Sequence, residues 1–314
     1  MTGAREESRN EELVLRQLRR WRFAHGLRCP HCNATQILRW GSFSGRQRYR
    51  CKTCGRTFSD LTATPAVYVK KLIQMTAYTS CLAEGLSVRR AAARTGVHPS
   101  TAFRWRHAFL FALGLGEADR LAGWIEFDWV LFPYSRKGQR TVGHDARRRG
   151  VPPGSRRQVE RVSVWAACDR RGRAASGLCR MARPFAAWID GDLAGRIAGP
   201  ATLTDLHGRF GPAAVFARSH KLAYHDSRNV TRGQTSMLAG VETVKTFLRR
   251  LRGWLRRFRG VATRYLSNYL RWHDYWERPL SLSLSVSLLQ WHDPVERHDP
   301  VELATLPPHG SRPL

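Results

Sequence analysis

Residues 123–131 read Gly-Trp-Ile-Glu-Phe-Asp-Trp-Val-Leu, an apolar run with two carboxylates set into it. Trp124, Ile125, Phe127, Trp129, Val130 and Leu131 give it the composition of a largely buried strand. Burying Glu126 and Asp128 there is costly unless a cation or a dense set of donors compensates. Two solutions meet that constraint. Either the acids pair with arginines, or Asp128 is a ligand for a catalytic metal held by the central strand of a sheet.

Arginine is in ample supply. Lys and Arg number 53 against 24 Asp and Glu in 314 residues, a formal charge of +29. No single patch accounts for such an excess, which calls for a polyanionic partner, usually nucleic acid. The length suits one ordinary domain plus one or two small modules, and 42% hydrophobic residues can bury a core. The 11 Trp are out of place in a purely structural basic protein. The first twenty residues have no apolar core, so no signal peptide is expected, and no stretch has the apolar length of a membrane span. The 7 Cys point to a reducing interior, where paired thiols hold metal.

Four of those cysteines come as Cys29-Pro30-His31-Cys32 and Cys51-Lys52-Thr53-Cys54, separated by the 18 residues 33–50. Each pair makes a knuckle that sets two thiolates about 2.3 Å from one tetrahedral Zn²⁺. Residues 40–45 and 48–51 suit the strands of a hairpin between them. Arg28, Arg39, Arg46, Arg48, Arg50 and Lys52 surround it, and Phe58 can cover its core. The spacing predicts a zinc ribbon over 26–65 with a structural Zn²⁺ on Cys29, Cys32, Cys51 and Cys54. A helix carrying Leu13, Leu15 and Leu18 precedes it within 1–25.

Residues 66–115 are punctuated as a helix-turn-helix. Ser87 can cap a helix over 88–95, Gly96 supplies the turn, and Pro99 opens the next helix. In that helix Ala102, Trp105 and Phe109 share one face. Ser100, Thr101, Arg104 and Arg106 are expected outside it, where they would meet phosphates and base edges of double-stranded DNA.

Residues 116–278 are expected to be an α/β domain, and its α/β pattern sets the fold class. After the first strand come a basic loop at 135–158, a strand at 162–168, a turn at 169–172 and a returning strand at 175–181. A helix at 184–198 and a short strand at 201–205 follow, the latter ending on Asp205. In a helix over 241–259, Val244, Phe247, Leu248, Leu251, Leu255 and Phe258 share one face, and Glu242, Lys245, Arg249, Gly253 and Arg256 the other. Residues 279–314 look low in complexity and are expected to be disordered, with a repeated His-Asp-Pro-Val-Glu. The element order is that of a ribonuclease-H-like fold with a mixed sheet flanked by helices, in which three acids converge to hold Mg²⁺ or Mn²⁺.

The sequence resembles zinc-ribbon-bearing insertion-sequence transposases of prokaryotes, in the family numbered fifteen ninety-five. The matching pieces are Cys-Pro-His-Cys at Cys29 and Cys-Lys-Thr-Cys-Gly-Arg-Thr-Phe-Ser from Cys51, with Pro65 closing a Thr-x-Thr-Pro. Glu126-x-Asp128, Lys137-Gly138, Thr204-Asp205, Gly240-Val241-Glu242 and the stretch from Arg259 to Leu270 complete them. The 36 residues between Asp205 and Glu242 approach the spacing of DD(35)E transposases.

The resemblance implies that Asp128, Asp205 and Glu242 are the catalytic metal ligands, and that Arg249 stands where relatives carry a DNA-contacting Lys. Lys245 and Arg256 would share that cationic face. It further implies a DNA transposase acting in the cytoplasm on nucleoid DNA as a homo-oligomer, with no membrane association. Trp129 replaces an acid, and Ala239 an Asn, found in relatives. The second reading is therefore a catalytically inactive remnant that binds specific DNA as a regulator.

Overall fold

The computed structural model describes residues 2–115, 120–138, 160–179, 186–229 and 240–277, in two compact units. Residues 2–115 belong to the first and the rest to the second. Most of the expected basic loop, the tail and Ala239 lie outside the described residues.

The first unit begins with α1 (Thr2–Arg22), longer than the leucine pattern alone suggests. Three antiparallel strands follow in the order β1 (Ile37–Phe43), β2 (Arg46–Cys51) and β3 (Thr57–Ser59). Tyr49, Phe58, Cys29 and Cys51 form the small core of this sheet. Leu15 and Leu18 of α1 are buried, and Arg19 anchors the helix to the buried Asp60 at 2.6 Å. A second anchor joins Glu11 to Arg46 at 2.6 Å. Such ties matter because a sheet this small cannot bury enough apolar surface to stand alone.

Then come α2 (Leu72–Ala83), α3 (Val88–Thr95) and α4 (Pro99–Leu115). The Ser87 hydroxyl accepts from the Arg90 N–H at 3.4 Å, and Gly96 ends α3 at φ +66°, a left-handed turn that favours glycine. Both signals were readable in the sequence. Tyr78, Trp105 and Phe109 pack edge-on and stacked inside the bundle.

The second unit is a five-stranded mixed sheet in the order β6-β5-β4-β7-β8. Its strands are β4 (Leu121–Pro133), β5 (Arg161–Asp169), β6 (Ala174–Cys179), β7 (Ile197–Asp205) and β8 (Ala223–Asp226). The first three form an antiparallel meander, and β7 and β8 run parallel to β4. The helices are α5 (Ala186–Leu193), α6 (Pro212–Ser219), α7 (Glu242–Arg256) and α8 (Thr263–Trp276). Neither α6, β8 nor α8 stands out from sequence periodicity. The strand at 201–205 starts earlier than expected, at Ile197, because a 3₁₀ turn ends the preceding helix at Arg196.

Alternation along the strands sorts the helices onto two faces. Ile125, Phe127, Trp165, Ala167 and Leu203 pack with Ile189 and Leu193 of α5 and Ala213, Phe216 and Ala217 of α6. Gly177 lies under Trp165, where an added Cβ would come within 2.5 Å of the indole, so that site admits only glycine. The opposite parity faces α7 and α8. Glu126 accepts the Val244 N–H at 3.0 Å, and Asp274 of α8 accepts the Ser176 N–H at 2.9 Å. Ser135 and Thr263 exchange bonds of 2.8 and 2.9 Å, and Lys137 donates to the Gly260 carbonyl at 2.9 Å, fastening the end of β4 to the turn before α8.

His273 is buried beneath Phe247 and Trp254. Burial, then the charge of Arg250, holds its pKa down to about 4. Glu277 lies 3.6 Å from its Nε2 but is already engaged by Arg250 at 2.6 Å. Below the ordinary value of 6.5 the unfolded chain takes up a proton that the folded chain refuses. Stability should therefore hold above that pH and fall as pH drops toward 4, by about 2 kcal/mol at pH 5. Thermal unfolding should show this decline in the wild type, and His273→Phe should flatten it. An equal decline in both proteins would remove His273 as its source.

Candidate functional site

Local turns build the cysteine site. Asn33 N–H bonds the Cys29 carbonyl at 2.8 Å and Gly55 N–H bonds that of Cys51 at 3.0 Å, folding each Cys-x-x-Cys into a knuckle. The four sulfurs all lie within 4.8 Å of one another, with Cys29–Cys54 and Cys32–Cys51 at 3.6 Å. A regular tetrahedron with Zn–S near 2.3 Å requires sulfurs roughly 3.8 Å apart, so the quartet has the size of a zinc site. The Cys54 N–H, 3.5 Å from the Cys51 sulfur, holds the pKa of that thiol down to about 6, whereas burial pushes the Cys29 thiol up despite the His31 N–H 3.4 Å from its sulfur. The donor set and geometry fit structural Zn²⁺.

On the helix-turn-helix, Ser100 and Arg104 are exposed and Thr101 is half-buried, in the first turns of α4. The His98 ring lies 2.8 Å from the Ser100 hydroxyl and 3.3 Å from its N–H, fixing the start of the helix. Arg106 corrects the expectation. It is fully buried and donates to the Leu86 carbonyl at 2.5 Å, so it braces the bundle from inside. The reason is periodicity: position 106 lies one turn beyond Ala102 and beside Trp105, on the flank of the buried face.

In the second unit the acids go to different places. Asp205 closes β7 and is fully buried. Its Oδ1 accepts the His207 N–H at 2.9 Å, the Gly208 N–H at 3.3 Å and the Tyr224 hydroxyl at 2.7 Å. Burial, then the bond to Asp205, pushes the Tyr224 phenol well above its ordinary value, so it remains a donor. Among the described residues, the buried Oδ2 of Asp205 has no hydrogen-bond partner. Asp128, on the neighbouring strand, is half-buried, and its Oδ1 lies 3.2 Å from His207 Nε2. The His207 ring stacks on Trp129 at 5.5 Å. One histidine thus links the two acids, through its ring to one and its backbone to the other.

Glu126 meets a helix start. Its carboxylate takes the Val244 N–H and the Thr243 hydroxyl, at 3.0 and 2.9 Å, and so caps α7. Glu242 opens that helix with a side chain 76% exposed, 3.0 Å from Lys245. Arg249 and Arg256 are exposed further along. Among the described residues, the cysteines are the one set of three or more possible ligands gathered within 4.8 Å, so Asp128, Asp205 and Glu242 are not drawn to a single point. No motif or periodicity pointed to His207 and Tyr224. The nearest signal was a histidine two positions past an acid at a strand end.

Residues 9–57 match a family model described as a transposase zinc-ribbon domain, and residues 81–123 one described as a homeodomain-like domain. The chain is also similar to an uncharacterised protein in transposable element ISH50 of Halobacterium salinarum. The two are 33% identical over 157 residues, which cover 48% of this chain and 51% of that protein. The chain therefore spans about half the length of this relative. These matches bear out the resemblance to zinc-ribbon insertion-sequence transposases. No helix among the described residues is long and apolar enough to cross a membrane.

Two outcomes follow for the first unit. Metal analysis should find about one zinc per chain, and Cys51→Ser should lose it together with the ribbon, since such sites supply on the order of 10 kcal/mol of folding free energy. A folded ribbon without zinc would contradict this. Arg106→Ala should cost about 1–3 kcal/mol of stability by orphaning the Leu86 carbonyl. A selective loss of specific DNA binding at unchanged stability would return Arg106 to the interface.

Proposed function

We propose that this chain, a relative of zinc-ribbon insertion-sequence transposases, binds the inverted repeats of its element and catalyses metal-dependent strand cleavage and transfer. The strand order β6-β5-β4-β7-β8, with an antiparallel meander followed by two parallel strands, supports a ribonuclease-H-like catalytic domain. One observation carries the reading. Asp128 and Asp205 stand on adjacent parallel strands, joined through His207, and the second carries a buried oxygen with no partner among the described residues. Such an oxygen is costly unless a cation completes its environment.

Asp128, Asp205 and Glu242 offer hard oxygen donors suited to Mg²⁺ or Mn²⁺. When bound, two such ions would activate the attacking water or 3′-hydroxyl and stabilise the leaving oxygen. The protein's own residues do the placing. Tyr224 and the His207 and Gly208 N–H groups hold Oδ1 of Asp205, which leaves Oδ2 as its free donor. His207 orients Asp128, and Glu126 holds the start of α7 over the strand that bears Asp128. Lys245, Arg249 and Arg256 would take the phosphates of double-stranded DNA, while Ser100, Thr101 and Arg104 would enter its major groove. Cleavage transfers the phosphoryl group to water and frees a 3′-hydroxyl. That hydroxyl then attacks a target phosphodiester, forming one P–O bond as another breaks. Two element ends must be held together for this, which favours a homo-oligomer on DNA.

The exposure of Glu242 and its pairing with Lys245 favour a second reading, a DNA-binding protein without chemistry. A Mg²⁺- or Mn²⁺-dependent cleavage assay on the repeats flanking the gene separates the two. Asp128→Asn, Asp205→Asn and Glu242→Gln should each reduce cleavage to background while DNA binding persists. Full activity of Glu242→Gln would remove that residue from the site, and an inactive wild type that binds the repeats would favour the second reading. In the same binding assay, Arg104→Ala should lose about 1–3 kcal/mol of discrimination between repeat and random DNA. Equal loss on both would make it a phosphate contact.

A further inference from the structure

The zinc ribbon has two faces, and only one is used by its own core. The register pairs Leu38 with Arg50 and Arg39 with Tyr49, and β3 adds Thr57 beside Arg50 and Phe58 beside Tyr49. Alternation therefore puts Tyr49, Phe58 and Cys51 inward. It puts Leu38, Trp40, Arg48, Arg50 and Thr57 on the other face. That face has no core role. Leu38 and Trp40 are 41% and 45% exposed, and Phe43 near the hairpin tip is 71% exposed. The Arg50 guanidinium lies over the Trp40 ring at 4.7 Å, and Arg48 reaches the Thr57 hydroxyl at 3.4 Å.

Three large apolar side chains within six residues are an unusual thing to leave in water. Their neighbours identify what would cover them. An apolar partner would leave Arg48 and Arg50 desolvated without counter-charge, which is costly. Duplex DNA would satisfy the arginines through its phosphates, yet it hides the faces of its bases and leaves Trp40 and Phe43 unused. Unpaired nucleotides satisfy both, because their bases offer π-faces to aromatic rings and their phosphates offer charge to arginines.

We propose that this outer sheet face is a stacking platform for single-stranded DNA, distinct from the duplex-binding surface of the helix-turn-helix. The proposal does not depend on the catalytic reading, because neither unit's acids take part in it. Its occupants would be strands freed of their partners, such as frayed or displaced ends.

The test measures fluorescence anisotropy of the full-length zinc-bound protein with labelled oligothymidylate of about twenty nucleotides, and with a blunt duplex of equal length, at one salt concentration. Trp40→Ala should weaken oligothymidylate binding about tenfold or more and change duplex binding less than about twofold, with Trp40→Phe keeping most of the affinity. Arg104→Ala should show the reverse preference. Zinc content and circular dichroism identify any variant that fails to fold, and Arg50→Gln then serves as the second probe, with the same expected selectivity. Equal loss on both DNAs would make the face a duplex contact. Unchanged binding, or a concentration-dependent dimer that Trp40→Ala dissolves, would give it to protein. Any of these outcomes overturns the proposal.

Discussion

The bond on which the second unit's arrangement depends joins Glu126 to the first turn of α7. A carboxylate 5% exposed would be intolerable in an apolar strand without donors. Here the donors are the Val244 N–H, which a helix start leaves without an intrahelical partner, and the Thr243 hydroxyl. Each side solves the other's problem: the acid loses its desolvation penalty and the helix gains a cap. The positive end of the helix dipole adds to the attraction. Because the cap comes from the strand that also carries Asp128, the same bond seats the first turn of α7 on that strand.

Much of this was readable in advance because chemistry with a fixed spacing or period leaves a trace. The cysteine pairs, the Ser87 and Gly96 caps, the carboxylate-bearing strand and the apolar face of α7 all have such a trace. Elements held by tertiary context do not. The short β8 is half-exposed and takes its place from pairing with β7, and α8 is anchored by Asp274 to a serine far away in the chain. Arg106 fails for a subtler reason. Composition suggests a surface residue, whereas position one turn from Ala102 dictates burial, and the Leu86 carbonyl makes burial tolerable.

The acids divide along the same line. Their identity and order were visible, and so was the tension of burying two carboxylates in one strand. What could not be seen was how each would be satisfied. Glu126 meets a helix end where an arginine was the simplest expectation, and Asp205 meets a tyrosine and two backbone N–H groups. Trp129, next to Asp128 in the strand, stacks on His207 and steadies the histidine that reaches Asp128.

We propose that the buried Oδ2 of Asp205, without a partner among the described residues, and the neighbouring Asp128 hold a divalent cation. Electron paramagnetic resonance of Mn²⁺ added to zinc-loaded protein measures this without any need for turnover. Bound Mn²⁺ is expected in the wild type and should be lost in Asp205→Asn and Asp128→Asn while the ribbon zinc stays in place. Titration of Asp205→Asn indistinguishable from that of the wild type would contradict it.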